Sequence, residues 1–385
     1  MRRSLTGVFA CLAFSTTFLV PPAHAAPPPR LVEGATESIP MGSLVGPAVG
    51  ALVRRGTGAE AGGIPQTPPA LSVLRTGTKE FSLVGATWTD DPAVTDTVVR
   101  VRVQSAAGTW GAWTEMEAHE SGADETASVR TSIRGGTEPV WTGPSRGVEA
   151  EVVTRSGAHP RDVHLDLVDA GTGPVDATLV PPVRNNARGT AAAPAIHPRK
   201  DWGADERLRK GKPRYARTIK AATLHHTVNT NAYTAQQVPA MIRAIYRYHV
   251  VSRGWGDIGY NVLVDKFGRV WEGRYGGLKS TVIGAHARSF NKGTVGIALL
   301  GNYDSGHTTA PMIAAAEAFI AWKFSLFHVD PTATTRLKGG GKKVPTIFGH
   351  RDAGKTACPG RYGYARLPEI RAAVDRRLAT APTSS

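Results

Sequence analysis

Two adjacent histidines, His225 and His226, end an apolar run that starts at Ala221, and a third, His350, follows the run Val344 to Phe348. Cys358 stands eight residues after His350, and it is the one cysteine left once the first residues are removed as an export signal. Imidazole nitrogen and thiolate are ligands that zinc accepts, and a hydrolytic zinc site uses three of them while leaving a fourth position for water. Ligands eight residues apart need a chain that folds back between them. Asp352-Ala353-Gly354-Lys355-Thr356 supplies the small and polar residues of such a loop, and Pro359-Gly360 turns the chain beyond the cysteine. Singly, a histidine or cysteine at a strand end is more often part of a core. Together they point to a His2Cys zinc (Zn2+) centre, because a lone thiol in an exported protein must be buried, paired between chains or bound to metal.

The elements that must hold these residues follow a strand, helix, hairpin, strands, helix, strand, helix order from about 197 to 380. Ala221 to Thr227 and Thr294 to Gly301 read as buried strands, and Val344 to Phe348 as a short one. Thr234 and Gln237 form a capping box ahead of a helical stripe of Val238, Met241, Ile242, Ile245, Tyr248 and His249. Asn261 to Glu272 reads as a hairpin around Asp265-Lys266-Phe267-Gly268. Pro311 suits a helix start before Met312, Ala316, Phe319 and Ile320, and Leu367 to Leu378 is a last helix. The fold class is α/β, with a mixed central sheet and about three packed helices.

The N-terminal half has a different texture. Arg2 and Arg3, the apolar run Leu5 to Val20 and Ala23-His24-Ala25 read as a signal peptide over 1–25, and no later apolar stretch is expected to span a bilayer. Residues 26–70, rich in Ala, Pro and Gly, read as a flexible tether or propeptide. From 71 to 180, short alternating runs such as Val98 to Val103 and Val148 to Val153 predict an antiparallel β-sandwich-like domain, joined by a linker over 181–196. The charge divides at the same place. Residues 26–180 carry 12 basic against 19 acidic side chains, a net −7, and residues 181–385 carry 32 against 12, a net +20. In an exported protein a basic half points to anionic wall polymers as partners rather than nucleic acid.

Six strings then carry a resemblance: Leu224-His225-His226-Thr227, Gly254 to Asn261, Trp271-Glu272-Gly273-Arg274, Gly284-Ala285-His286, Val295 to Tyr303, and Gly349 to Asp352 continuing to Cys358-Pro359-Gly360. In this order they resemble the peptidoglycan recognition protein and type-2 N-acetylmuramoyl-L-alanine amidase family, which includes the phage amidase lysozymes. The likeness covers about 197 to 380, and the N-terminal half resembles the strand-rich extension of actinobacterial exported amidases. The resemblance implies a secreted or wall-associated enzyme that cuts peptidoglycan between N-acetylmuramic acid and L-alanine. It implies zinc on His225, His350 and Cys358, with the Tyr260 hydroxyl and Thr356 facing the reaction. Relatives that only bind wall fragments typically lack the cysteine. The pair Trp255 and Arg274 goes with diaminopimelate-type stem peptides, Arg274 being suited to bidentate contact with the extra carboxylate. His249 and His286 are candidates for lining the groove or for hydrogen bonds to the site.

Overall fold

The computed structural model describes residues 32–43, 70–119, 133–177, 183–184, 191–337 and 341–380. The signal peptide read over 1–25 lies outside them. Eight strands make a first, antiparallel sheet: β1 (Ala35–Pro40), β2 (Gly42–Ser43), β3 (Leu71–Thr89), β4 (Asp96–Ser105), β5 (Thr114–His119), β6 (Arg134–Thr137), β7 (Val140–Ser156) and β8 (His164–Asp169). Their order is β1-β8-β3-β6-β5-β4-β7, with β2 on β3 and a further β3–β7 pairing. That last pairing closes five strands into a ring around Phe81, Val84, Val99, Met116, Val148 and Ala150. The expected sandwich is therefore one sheet wrapped on itself, with register shifts in the two longest strands, β3 and β7.

Two of these strands fall in the stretch read as a tether. In β1 only Ile39 is buried, so no alternation marks it in the sequence; a backbone ladder to β8, from Ala35↔Asp169 to Pro40↔His164, holds it.

The second sheet has seven strands: β9 (Val183–Arg184), β10 (Ala195–His197), β11 (Ala221–His226), β12 (Val262–Val264), β13 (Val270–Glu272), β14 (Thr294–Leu299) and, after a small β15 (Thr334–Arg336) and β16 (Lys343–Pro345) pair, β17 (Ile347–Gly349). The order is β17-β11-β14-β12-β13-β10-β9, mixed in direction. The linker is thus partly built into this sheet, with Ala191 and Ala193 in its core. The single strand read over 344–348 is two. Thr346 separates them, donating its N–H to Ala333 while its carbonyl accepts from Ala222.

Among the described residues, the helices of ten residues or more that pack on this sheet are α1 (Val238–Arg247), α2 (Ala310–Phe327) and α3 (Leu367–Ala379). The Thr234/Gln237 box caps the 3-10 turn that leads into α1, which runs on into a π turn over Tyr248–Ser252. Helix α2 is long and apolar enough by length and composition to cross a membrane, which the sequence reading did not anticipate. Its apolar residues serve the core instead: Met312, Ala316, Phe319, Ile320, Trp322 and Phe324 are buried in the main cluster with Ile370 and Val374 of α3.

The two sheets belong to one compact unit and share a hydrophobic cluster. Leu83, Trp141 and Val168 of the first pack with Met241 and Ile245 of α1, Tyr248 of the π turn and Tyr260 in the segment before β12. Tyr248 reaches across, its hydroxyl 2.9 Å from the Ala86 carbonyl and 3.0 Å from that of Thr137. Gly85 makes room for this ring, since a Cβ there would come 2.4 Å from it. Arg253 adds a bond from Nε to the Arg134 carbonyl at 2.9 Å, and Arg243 grips Asp176 and the Ala170 and Trp202 carbonyls.

Candidate metal centre

Strands β11 and β17 are parallel neighbours with Leu224 opposite Gly349, so the next residues, His225 and His350, emerge together at one end of the sheet. Cys358 returns to them because the chain after His350 closes on itself. The Arg351 N–H donates to the Cys358 carbonyl at 2.8 Å, and the Arg351 guanidinium donates to the Ala357 carbonyl. Thr356 braces the same loop, its hydroxyl oxygen accepting the Cys358 N–H at 3.1 Å. One ligand atom from each of His225, His350 and Cys358 lies within 4.8 Å of the others, and all three residues are buried. The Cys358 Sγ is 3.6 Å from His225 Nδ1. Two tetrahedral ligands at ordinary Zn–S and Zn–N lengths stand roughly 3.5 Å apart, so these atoms fit the edge of a zinc site.

The neighbouring His226 faces elsewhere, as alternation along a strand requires. Its Nδ1 accepts the Tyr303 N–H at 3.2 Å, while its own N–H donates to Cys358 Sγ at 3.3 Å. Burial keeps His226 neutral, with a pKa pushed down to about 4, and lowers that of His350 to about 3 with a smaller push from His226. Neutral imidazole is the form a metal takes. His286 is also neutral, at about 3, through burial first and then the nearby His350 and Arg274. Its Nδ1 is 3.0 Å from His225 Nε2. With the proton on Nε2 donated to His286, His225 presents an Nδ1 lone pair toward Cys358. The His286 ring lies against Gly296 of β14, where a Cβ would stand 2.4 Å from it, which gives the Val295-Gly296-Ile297 string a physical reason.

Tyr260 is buried beside His225, ring centroids 5.5 Å apart, and its hydroxyl donates to Glu138 Oε2 at 3.1 Å. Glu138 comes from the first sheet, in the connection between β6 and β7. Sequence reading missed it, for a single carboxylate before Pro139 belongs to no motif and no periodicity. Burial raises its pKa to about 7, against the pull of Arg253 and of the Tyr260 hydroxyl. Burial also holds the Tyr260 phenol well above its usual value, and the Glu138 charge adds to this.

The remaining candidates surround the segment that carries Tyr260. His249 accepts the Gly259 N–H at 3.2 Å and stacks on buried Trp255 at 4.4 Å, and Arg253 lies 4.9 Å from the Trp255 ring. Arg274, expected to grip a substrate carboxylate, is 4% exposed. Its Nε donates to the Ile258 carbonyl at 2.9 Å, and its terminal nitrogens reach the Asp257 and Ile283 carbonyls at 3.3 and 3.4 Å. The structure thus gathers His225, His350, Cys358, Tyr260 and His286 with Glu138, and sets Trp255, His249 and Arg274 around residues 255–260.

Residues 215–361 match the family described as N-acetylmuramoyl-L-alanine amidase, and residues 45–177 match the family described as Rv3811 N-terminal galactose-binding domain-like. Peptidoglycan-recognition protein SC2 of Drosophila simulans is 33% identical over 160 residues, which is 42% of this chain and 77% of that protein. Peptidoglycan-recognition protein SC1a of Drosophila melanogaster is 34% identical over 144 residues, 37% of this chain and 69% of its own length. Among solved structures, Drosophila PGRP-LB aligns at 27% identity with a TM-score of 0.38, covering 45% of this chain and 91% of that one. Amidase LysC of Clostridium intestinale aligns at 22% with a TM-score of 0.36, covering 47% and 97%. The chain belongs to the peptidoglycan recognition protein and N-acetylmuramoyl-L-alanine amidase family.

Proposed function

We propose that the protein is a secreted, wall-associated zinc amidase that hydrolyses the bond between N-acetylmuramic acid and L-alanine of peptidoglycan. The observation that carries this reading is the Cys358 Sγ at 3.6 Å from His225 Nδ1 with His350 in the same cluster, a donor set that recognition alone does not need. Residues 1–25 act as the export signal, 71–180 as a strand-rich accessory domain and 197–380 as the amidase domain. Zinc, when bound, polarises the scissile carbonyl and makes water acidic enough to attack near neutral pH.

The chain's own residues do the rest. His225, His350 and Cys358 hold the metal, and the His226 N–H steadies the sulfur. Thr356 holds the Cys358 backbone, and Tyr260 sets its ring beside His225 with its hydroxyl on Glu138. Trp255 and Arg274 shape the substrate wall through the 255–260 segment, and diaminopimelate-type stem peptides remain the proposed substrate class. The +20 C-terminal half supplies attraction to an anionic wall.

His286 sets the orientation of His225. His286→Ala should therefore weaken zinc binding by about 10–100-fold, read by competition with a chromogenic chelator. Unchanged affinity would return His286 to the ordinary core. The function itself is tested by incubating the protein with purified sacculi and following turbidity. Clearing that stops on chelation and resumes with zinc supports the amidase; tight co-sedimentation with constant turbidity would leave only a recognition module.

A further inference from the structure

We propose that Glu138, carried by the first sheet into the site of the second, accepts the proton of the attacking water through the Tyr260 hydroxyl. This rests on the amidase reading. Both flanks of Glu138 are fixed. On one side the Thr137 carbonyl takes bonds from the Tyr248 hydroxyl at 3.0 Å and Arg253 Nη1 at 3.3 Å. On the other, the Trp141 N–H donates at 2.6 Å to Asn229 Oδ1, and Asn229 Nδ2 donates to Thr227 Oγ1, in the turn just after His226. The carboxylate so placed accepts the Tyr260 O–H at 3.1 Å, while the Tyr260 ring lies 5.5 Å from that of His225 and its phenol feels the Cys358 charge, so the same hydroxyl stands between Glu138 and the ligand cluster.

Burying a carboxylate costs several kcal/mol before partners are counted, so stability alone is a poor reason for this one. The site's histidines are otherwise engaged: His225 and His350 in the ligand cluster, His226 on Tyr303 and His286 on His225. A general base works best with a pKa near the working pH, and that of Glu138 is raised to about 7. Among the described residues, Arg253 and the Tyr260 hydroxyl act on its charge, and that charge in turn raises the Tyr248 phenol.

The step balances. As the water oxygen bonds to the carbonyl carbon, its proton passes to the Tyr260 oxygen while the phenol's own proton moves to Glu138. Glu138 is then neutral and the phenol intact. The proton returns by the same route to the amide nitrogen as the C–N bond breaks, giving a carboxylic acid and an amine.

The test is Glu138→Gln in the full chain. Turnover should fall by about 10²-fold or more, with KM, zinc content and melting temperature unchanged. Wild-type kcat should fall as pH drops through about 7, because the ionised form is the acceptor, and this acid limb should vanish in the glutamine variant. In the metal-free full chain, the infrared band of a buried protonated carboxyl should titrate in the same range and be absent from Glu138→Gln. Should glutamine prevent folding, Glu138→Asp carries the test, with reduced kcat and the acid limb retained. Equal or higher turnover in a folded variant would overturn the proposal and make Glu138 a plug over the site. A wild type that releases no alanine N-termini at any pH would overturn the amidase reading, and this proposal with it.

Discussion

Replacing Cys358 by serine is expected to take the metal content from about one zinc per chain to nearly none and amide hydrolysis to background. Serine is close in size, and the loop it sits on is closed by backbone, through the Arg351 N–H to the residue-358 carbonyl, so the fold should survive. What disappears is the thiolate. A neutral hydroxyl is a poor zinc ligand, and two imidazoles alone do not complete the three-ligand set. Metal analysis of the purified full chain beside a sacculus assay reads both effects. A serine variant that keeps its zinc and its activity would remove Cys358 from the ligand set.

Tyr260→Phe is the second large effect. The ring and its packing against His225 and His249 stay, and only the hydroxyl is lost. Turnover should fall by roughly 10²-fold or more, the cost of losing one placed donor at a reacting centre, while zinc content stays at the wild-type level. Because Glu138 is reached only through that hydroxyl, any residual activity should lack the acid limb near pH 7 expected of the wild type. Measured kcat across pH decides it; unchanged turnover would place the Tyr260 hydroxyl among the structural groups.

The metal cluster was legible in the sequence because its parts sit at strand ends. An apolar run that ends in histidine twice, plus the one cysteine outside the stretch read as an export signal, pointed to them. What the sequence could not show was which imidazole of His225-His226 turns inward. That is decided by the Leu224↔Gly349 register and by the Tyr303 N–H that takes up His226. Local signals with a fixed period, such as the α1 stripe, the Asp265 hairpin and the Pro311 helix start, gave their elements within a residue or two. Short elements without a period did not: β1 offers one buried side chain, and β9 and β10 are two and three residues long in a Pro- and Ala-rich stretch. Arg274 read as a group for a substrate carboxylate because nothing in the sequence shows that the Asp257, Ile258 and Ile283 carbonyls, 9 to 17 residues away, fold onto it. Glu138 was invisible because its partner, Tyr260, is 122 residues away in the segment that leads into β12.

The most direct test of the central claim is mass spectrometry of the material released from diaminopimelate-type sacculi by the zinc-loaded full chain. Cleavage at the muramoyl amide predicts free stem peptides with new N-terminal alanine, together with glycan strands whose lactyl carboxyl is bare. Fragments cut between sugars, or peptides cut between their own residues with the muramoyl amide intact, would contradict it.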